Sequence, residues 1–412
     1  MSRLSSDLVL VFAARISRLF AYGLLSVILV LYLAQLGFGE GRIGLLLSLS
    51  LAGDVAVSLS IAVWADRLGR RKMLLLGAVL MILTGAAFVL TQNYLLLAVV
   101  ATVGVVSPSG NEIGPFLSIE QAGLTELLPD QRRTGVFAWY NLVGSFATAL
   151  GALAGGWLAQ ILQWSGRPPL TAYRVVLLAY TTLGVLLAVV FLVLSPAVEA
   201  RPAEAPRPGS RSLLGLHRSQ GIVLKLSALF SLDAFAGGFV VQSLIAYWFH
   251  LRFGLDTALL GSIFFAANVL AGISALLAAR IAARIGLIRT MVFTHIPSNL
   301  LLCLVPLMPT VGLAVAVLLL RFSISQMDVP TRQSYTMAVV APDERSAASG
   351  VTTVARSVGA SASPVLAGLL LASPVLLSAP FFLSGGLKIL YDFLLYRSFR
   401  SVAPPEEKVH SC

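Results

Sequence analysis

Apolar residues form twelve long runs along this chain, and charged residues, Gly and Pro separate each run from the next. A helix needs about 20 residues to cross the hydrocarbon core of a membrane. The runs predict membrane-spanning helices at approximately 8–36, 43–64, 73–92, 94–126, 134–163, 171–195, 220–251, 256–280, 288–308, 311–340, 347–373 and 375–397. A membrane β-barrel would instead show short segments of alternating hydrophobicity. The pattern therefore predicts an all-α membrane protein.

Three of these runs, 94–126, 220–251 and 311–340, are longer than one crossing requires. Long hydrophobic helices tilt, kink or extend beyond the bilayer. We therefore expect spans 4, 7 and 10 to depart from straight, simple helices.

The twelve runs fall into two groups of six. Residues 195–220, which separate them, are rich in Pro, Arg and Glu and predict a flexible linker. The predicted organisation is a six-helix bundle at 1–195, a cytoplasmic linker at 196–219 and a second six-helix bundle at 220–412.

The two halves also resemble each other in sequence. AVWADRLGRRK at 62–72 aligns with ARIAARIGLIR at 279–289, and GALAGG at 151–156 aligns with SPVLAG at 363–368, at offsets of 217 and 212. The Pro-Asp pair at 129–130 recurs at 342–343, an offset of 213. Two parallel repeats related by an axis along the membrane normal are a transporter design, in which the substrate site lies between the halves.

Composition and charge agree with this organisation. The chain has 412 residues, of which 58% are hydrophobic and 11% charged, and its mean hydropathy is +0.90. The net charge of +11 would suggest a nucleic-acid partner in a soluble protein. Here the basic residues occupy alternate loops, which predicts no nucleic acid, cytoplasmic termini and a cytoplasmic linker. The short loops and the lack of a transit peptide favour the cytoplasmic membrane.

The segment between the second and third spans carries a recognisable motif, Asp66-Arg67-x-Gly69-Arg70-Arg71. With the twelve spans and the central linker, it resembles the major facilitator superfamily. That resemblance implies a fold of two pseudo-symmetric six-helix bundles. It also implies a cytoplasmic gate in which Asp66 contacts the start of span 11. The alternative interpretation is a basic turn that only fixes membrane topology.

Span 5 carries small residues at intervals of four, which permit close helix packing. Its Gly151-x-x-x-Gly155-Gly156 resembles the antiporter motif of the same superfamily but lacks the family's Pro. Span 11 holds Ser363-Pro364 in the related position. The resemblance favours antiport, whereas generic helix packing is the alternative.

Ionisable residues within spans cost roughly 2.5–3.5 kcal/mol at the bilayer centre, so they usually serve a function or pair with one another. Asn111 and Glu112 lie in span 4 between Pro108 and Pro115, which predicts a broken helix beside a protonatable group. Glu120 lies two turns deeper.

Span 10 contains Asp328-Val329-Pro330-Thr331-Arg332, which predicts a second acid beside a proline. Arg332 is expected to pair with Glu120 or Asp328, or to contact an anionic substrate. Asp54, with Ser50 and Ser58 on one face of span 2, is a further candidate proton site. A buried structural ion pair is the alternative for Glu112, Asp328 and Arg332.

The remaining charges within the spans are interpreted as structural. Arg15 and Arg18 are expected to extend to the lipid headgroups, and Asp233 to lie near the cytoplasmic end of span 7. Lys388 and Asp392 are expected to pair at an i,i+4 spacing. Arg356 is interpreted as a satisfied structural charge, and His250 and His295 are interpreted as isolated.

The predicted function is proton-coupled export of a small organic or amphipathic solute by alternating access. Uptake of a small, possibly anionic metabolite is one alternative, and a membrane sensor or scaffold that does not transport is another. The sequence shows no Walker loop, no metal-ligand spacing and no nucleophile–base pair, so neither an enzyme nor a cofactor or metal is predicted. The predicted partners are a small-molecule substrate, protons and the lipid bilayer, and the predicted state is a monomer.

Overall fold

The computed structural model describes residues 2–111, 116–128, 130–199, 216–400 and 402, and all the regular structure among them is helical. The α-helices are α1 Ser2–Gln35, α2 Glu40–Leu68, α3 Arg70–Leu90, α4 Tyr94–Val103, α5 Phe116–Leu127, α6 Asp130–Trp164, α7 Pro169–Val193, α8 Gln220–Gly238, α9 Gln242–Phe253, α10 Thr257–Ile285, α11 Leu287–Leu304, α12 Val311–Phe322, α13 Asp328–Val339, α14 Arg345–Leu371 and α15 Ala379–Phe399. Short 3-10 turns occupy Pro196–Val198, Val305–Leu307 and Pro342–Glu344.

The predicted all-α membrane architecture is confirmed, because each predicted run coincides with a helix or with a pair of consecutive helices. Within the described ranges, nine helices are long and apolar enough to cross a membrane. The other three crossings are α4 with α5, α12 with α13, and α15, whose apolar run is interrupted by Lys388 and Asp392. In the described part of the chain, each of the three over-long runs contains a helix break.

The break in span 4 leaves backbone carbonyl groups without helical partners, and polar side chains satisfy them. The Val106 carbonyl accepts from Ser50 Oγ at 3.1 Å, and the Gly110 carbonyl accepts from Thr148 Oγ1 at 3.2 Å. The Pro108 carbonyl accepts from the backbone N–H and the hydroxyl of Ser243 at 3.0 and 2.5 Å. Because an unsatisfied carbonyl is costly inside a bilayer, these hydroxyl groups are what allow the break.

The internal repeat is visible in local backbone structure. Gly69 and Gly286 occupy equivalent positions of the aligned segments, and each separates two consecutive helices with φ of +103° and +87°, a region that favours glycine. Asn93 and Thr310 are related by the same offset in sequence. They cap the starts of α4 and α12 by accepting a backbone N–H from further along the helix, Asn93 from Leu96 and Thr310 from Leu313.

Contacts divide the chain into two compact units. The first comprises Met1–Pro206 and Val241–Asn268, and the second comprises Arg207–Val240 and Val269–Cys412. In the first unit α1 packs closely on α6, where a Cβ on Gly151 would lie 2.1 Å from the Phe20 carbonyl oxygen. In the second unit α8 packs equally closely on α14, where a Cβ on Gly359 would lie 2.3 Å from the Ser231 carbonyl oxygen. The predicted domain boundaries at the linker stay a prediction.

Candidate functional site

The first unit contains a fully buried ion pair between α1 and α5. Arg18 and Glu120 both have no solvent exposure, and two hydrogen bonds of 2.5 and 2.9 Å join the guanidinium to the carboxylate. The Tyr140 hydroxyl on α6 donates a further hydrogen bond to Glu120. The expectation that Arg18 extends to the headgroups is therefore wrong, because Arg18 neutralises a carboxylate inside the bundle.

The second unit contains a larger charge cluster, centred on Asp233 of α8. Lys388 Nζ on α15 lies 2.6 Å from one carboxylate oxygen of Asp233. Arg332 on α13 and Arg356 on α14 each place Nη1 3.3 Å from the other oxygen. Asp233 is buried among these side chains of α13, α14 and α15, and its expected place near the cytoplasmic end of span 7 stays a prediction.

Arg332 also binds Asp328, four residues earlier on the same helix, at 2.8 Å. The predicted pairing of Arg332 with Asp328 is confirmed, whereas pairing with Glu120 is wrong because Glu120 binds Arg18 and Tyr140. Because Arg332 is 8% exposed and binds two carboxylates, its charge is already compensated.

His295 on α11 lies between two carboxylates of the second unit. Its Nδ1 is 2.9 Å from Asp392 Oδ1, and its Nε2 is 3.9 Å from Asp233 Oδ1. The Asn299 amide donates to Asp392 Oδ2 at 3.2 Å. The sequence-based interpretations of an isolated His295 and of a Lys388–Asp392 pair are wrong, because each of these side chains binds a partner on another helix.

The two buried pairs occupy matching places in the repeat with their charges reversed. Arg18 and Asp233 both lie on the first span of their half, and Glu120 and Arg332 both lie on the fourth. The separation in sequence from Arg18 to Asp233 is close to that from Glu120 to Arg332, and both are close to the repeat offset. Each bundle therefore holds its own fourth span against its first span by an ion pair.

The described candidates in spans 2 and 4 are Asp54 and Asn111, and each makes a hydrogen bond within its own segment. Asp54 is half-buried and accepts a hydrogen bond from Ser58 Oγ at 3.2 Å. Asn111 is exposed, and its carbonyl accepts from Ser107 Oγ at 2.8 Å. Glu112 lies outside the described residues.

The loop motif is bound to a residue that the sequence analysis did not single out. The Glu199 carboxylate accepts the backbone N–H groups of Arg70 and Arg71, at 2.6 and 3.3 Å, at the start of α3. Helix starts present free N–H groups and favour an anion. A Cβ on Gly69 would lie 3.3 Å from Glu199 Oε1, so glycine leaves room for the carboxylate.

The side chains of Arg70 and Arg71 bind backbone carbonyl groups at and just beyond the end of span 6. Arg71 Nε donates to the Phe191 carbonyl at 3.0 Å, and Arg70 Nη1 donates to the Val198 carbonyl at 3.3 Å. The side chains of Asp66 and Arg67 lie outside the described part of the chain. The contact predicted for Asp66 with the start of span 11, which is α14, stays a prediction.

Glu344 caps the start of α8 in the second unit. Its carboxylate accepts the backbone N–H groups of Arg218 and Ser219, at 2.7 and 2.8 Å, and that of His217. Burial raises the pKa of the Glu344 carboxyl, but the hydrogen bonds from Ser219, Arg218 and His217 lower it by more, to about 2.

The glycines of the antiporter-like motif lie at close helix contacts. A Cβ on Gly155 would come within 2.6 Å of the Leu24 carbonyl oxygen, and one on Gly156 within 2.3 Å of the Thr257 carbonyl oxygen. Pro364 lies inside α14, next to the contact of that helix with Gly238 of α8.

Comparison with known proteins gives a family and a fold. A family model described as Major Facilitator Superfamily matches residues 11–364. Uncharacterized membrane protein YJR124C of Saccharomyces cerevisiae is 31% identical over 97% of this chain and 95% of its own length. Transcription regulatory protein OpdE of Pseudomonas aeruginosa is 28% identical over 90% of this chain and 88% of its own length.

Among solved structures, a bacterial homolog of the human lysosomal transporter Spinster, in an inward-facing and occupied conformation, has a TM-score of 0.76. The match covers 97% of this chain and 98% of that one, with 14% sequence identity. At that identity the likeness concerns the fold.

Replacing Glu120 by Gln is predicted to destabilise the protein strongly, because the fully buried Arg18 loses the carboxylate that neutralises it. Removal of one partner of a buried ion pair costs about 3–5 kcal/mol. The matched control is Asp343→Asn, which breaks an ion pair with His217 in which Asp343 is 59% exposed, and exposed pairs contribute at most about 1 kcal/mol. Thermal unfolding in detergent measures both variants, and equal losses would contradict the prediction.

The Glu344 cap is predicted to lose its stabilising effect in acid. Because the folded-state pKa is about 2 and the ordinary value is 4.5, the effect is complete above about pH 4.5. It declines as the pH falls from 4.5 towards 2. The melting temperature of wild type should exceed that of Glu344→Gln by a constant margin above pH 4.5 and by a shrinking margin below it. A margin that does not depend on pH would disprove the assignment.

Proposed function

Since this chain belongs to the major facilitator superfamily, whose members are secondary transporters and not enzymes, we propose that it exports a small organic solute in exchange for protons. Alternating access of a substrate site is the mechanism. The proposal rests on the buried acids of its membrane spans, which a membrane protein retains only for pairing or for use.

Proton coupling is supported by carboxylates whose partners can change. Asp328 shares Arg332 with Asp233, so Arg332 keeps a carboxylate partner when Asp328 accepts a proton. Glu112 and Asp54 are the other proposed proton sites. One elementary charge moved through 100 mV provides about 2.3 kcal/mol, which is sufficient to drive a solute against its gradient. The double ligation of Glu120 by Arg18 and Tyr140 favours a structural role for that acid.

Export is the proposed direction because of the fifth span. Gly151 and Gly155 of α6 lie against the backbone of α1, and Gly156 lies against α10. This is the part of the fold in which the superfamily's antiporter motif occurs. The proposed gate on the cytoplasmic side is Asp66 with Arg67, Gly69, Arg70 and Arg71.

Two other functions have a specific observation in their favour. Uptake of an anionic metabolite is supported by the surplus of cations around Asp233. A sensor that does not transport is supported by the name of OpdE, a transcription regulatory protein. Deletion of an exporter raises the cellular level of a toxic compound, deletion of a permease impairs growth on a nutrient, and a sensor moves no solute in vesicles.

We further propose that the protein works as a monomer in the cytoplasmic membrane with both termini in the cytoplasm. Support comes from the alternate loops, in which Arg and Lys are concentrated on one side.

Transport in proteoliposomes with an imposed pH gradient tests the proposal. Wild type should move a solute from a screened library in a manner that depends on the gradient. Glu112→Gln and Asp328→Asn should lose most of that dependence, because neither amide can carry a proton. Asp343→Asn, outside the spans, is the control. Unchanged coupling in both variants would show that neither acid is the proton site, and loss of expression instead of transport would make the acid structural.

A further inference from the structure

The ion pairs around Asp233 join more cations than carboxylates. Two acids, Asp233 and Asp328, are bound directly by three cations, Arg332, Arg356 and Lys388. The neighbouring Asp392 is bound separately, by the His295 ring and the Asn299 amide. Among the directly paired groups the cations therefore outnumber the acids by one.

A net charge inside a membrane bundle is costly unless an ion of opposite sign compensates it. Asp233 alone is approached by three cations, which must share two oxygen atoms. Asp328 shares one of these cations, because Arg332 Nη1 lies 2.8 Å from its carboxylate as well. One more anion would complete the charge balance of the cluster.

Only one of the cations that bind Asp233 is accessible. The side chains of Arg332 and Lys388 are 8% and 11% exposed, whereas that of Arg356 is 32% exposed. Arg356 binds Asp233 through Nη1 at 3.3 Å. A guanidinium has five donors in a rigid fork, so anchoring one arm leaves others to receive an oxyanion.

Arg356 lies on a polar face of α14. Ser349 and Thr353 lie on the same face of α14 as Arg356, at the i,i+4 and i,i+3 spacing of neighbours on a helix. The opposite face carries Val358 and Leu369, which are 56% and 59% exposed, as lipid-facing side chains are. Thr353 is exposed on the polar face. A face with hydroxyl groups and a guanidinium is suited to water and not to acyl chains.

We propose that Arg356 binds an anionic group of the transported solute, so that the substrate class is organic anions bearing a carboxylate, phosphate or sulfonate. The proposal rests on the proposed transport function. Arg332, the arginine that the sequence favours for an anion, instead holds Asp328 and Asp233 in place. When the solute binds Arg356, Asp233 keeps Lys388 and Arg332 as partners, and the cluster is left without a surplus of positive charge.

The test uses the full-length protein in proteoliposomes and one defined probe. The probe is an equimolar library of size-matched organic compounds with three equal parts: carboxylates, phosphates and sulfonates; neutral amides and alcohols; and amines. The amount of each compound that wild-type protein moves across the membrane is measured by mass spectrometry. Movement should be confined to the anionic part of the library.

The matched variants are Arg356→Gln, Arg356→Lys and Lys225→Gln. Lys225 is exposed on α8, the helix that carries Asp233, so its replacement removes one positive charge without touching the cluster. Transport of the anions should fall about tenfold or more in Arg356→Gln, as expected for a lost charged hydrogen bond. It should fall less in Arg356→Lys, which keeps the charge, and remain unchanged in Lys225→Gln.

The Arg356→Gln protein should fold, because Asp233 still has Lys388 and Arg332 as partners. A melting temperature equal to that of wild type would confirm this. Movement of neutral compounds or amines by wild type, or full anion transport by Arg356→Gln, overturns the proposal while leaving transport intact. If wild type moves no compound from the library, the proposed transport function fails and the anion site fails with it. A much lower melting temperature of the Arg356→Gln protein would assign Arg356 a structural role and would also contradict the proposal.

Discussion

A charge inside a membrane protein must find its counterion within the protein, and this constraint explains how each unit is organised. Arg18 is neutralised by Glu120 in the first unit, and Asp233 is neutralised by cations from three other helices in the second. Such pairs provide little net stability compared with apolar packing, but losing one partner is expensive. Each unit is therefore committed to one arrangement of its helices.

The same constraint links the fold to transport. A carrier needs groups that remain charged in the membrane and can exchange partners when a solute or a proton binds. The first-unit pair is fully enclosed and has a tyrosine as its third member, which favours rigidity. The second-unit cluster has several cations around one acid and a partly exposed guanidinium at its edge. The two halves of the duplicated fold have therefore diverged, one towards a structural pair and the other towards a site with surplus positive charge.

Much of the architecture follows from the sequence because it depends on hydrophobic run length. Run length predicts the spans and the departure of runs 4, 7 and 10 from simple helices. Aligned segments of the two halves predict the repeat. The partners of buried charges are not predicted in this way, since they come from helices distant in sequence. Lys388 and Asp392 have the spacing of a helical pair, yet Asp233 and His295 are nearer to them in space. The matching offsets of Arg18 to Asp233 and Glu120 to Arg332 were the one available signal.

The second unit depends most on the mutual stabilisation of Asp233 and its cations. A double-mutant cycle on Asp233 and Lys388, measured by unfolding in detergent, tests it directly. Asp233→Asn and Lys388→Met should each destabilise the protein, and the double variant should recover about 1–3 kcal/mol relative to the sum of the single losses. Losses that simply add, to within about 0.5 kcal/mol, would show that Asp233 and Lys388 do not stabilise one another.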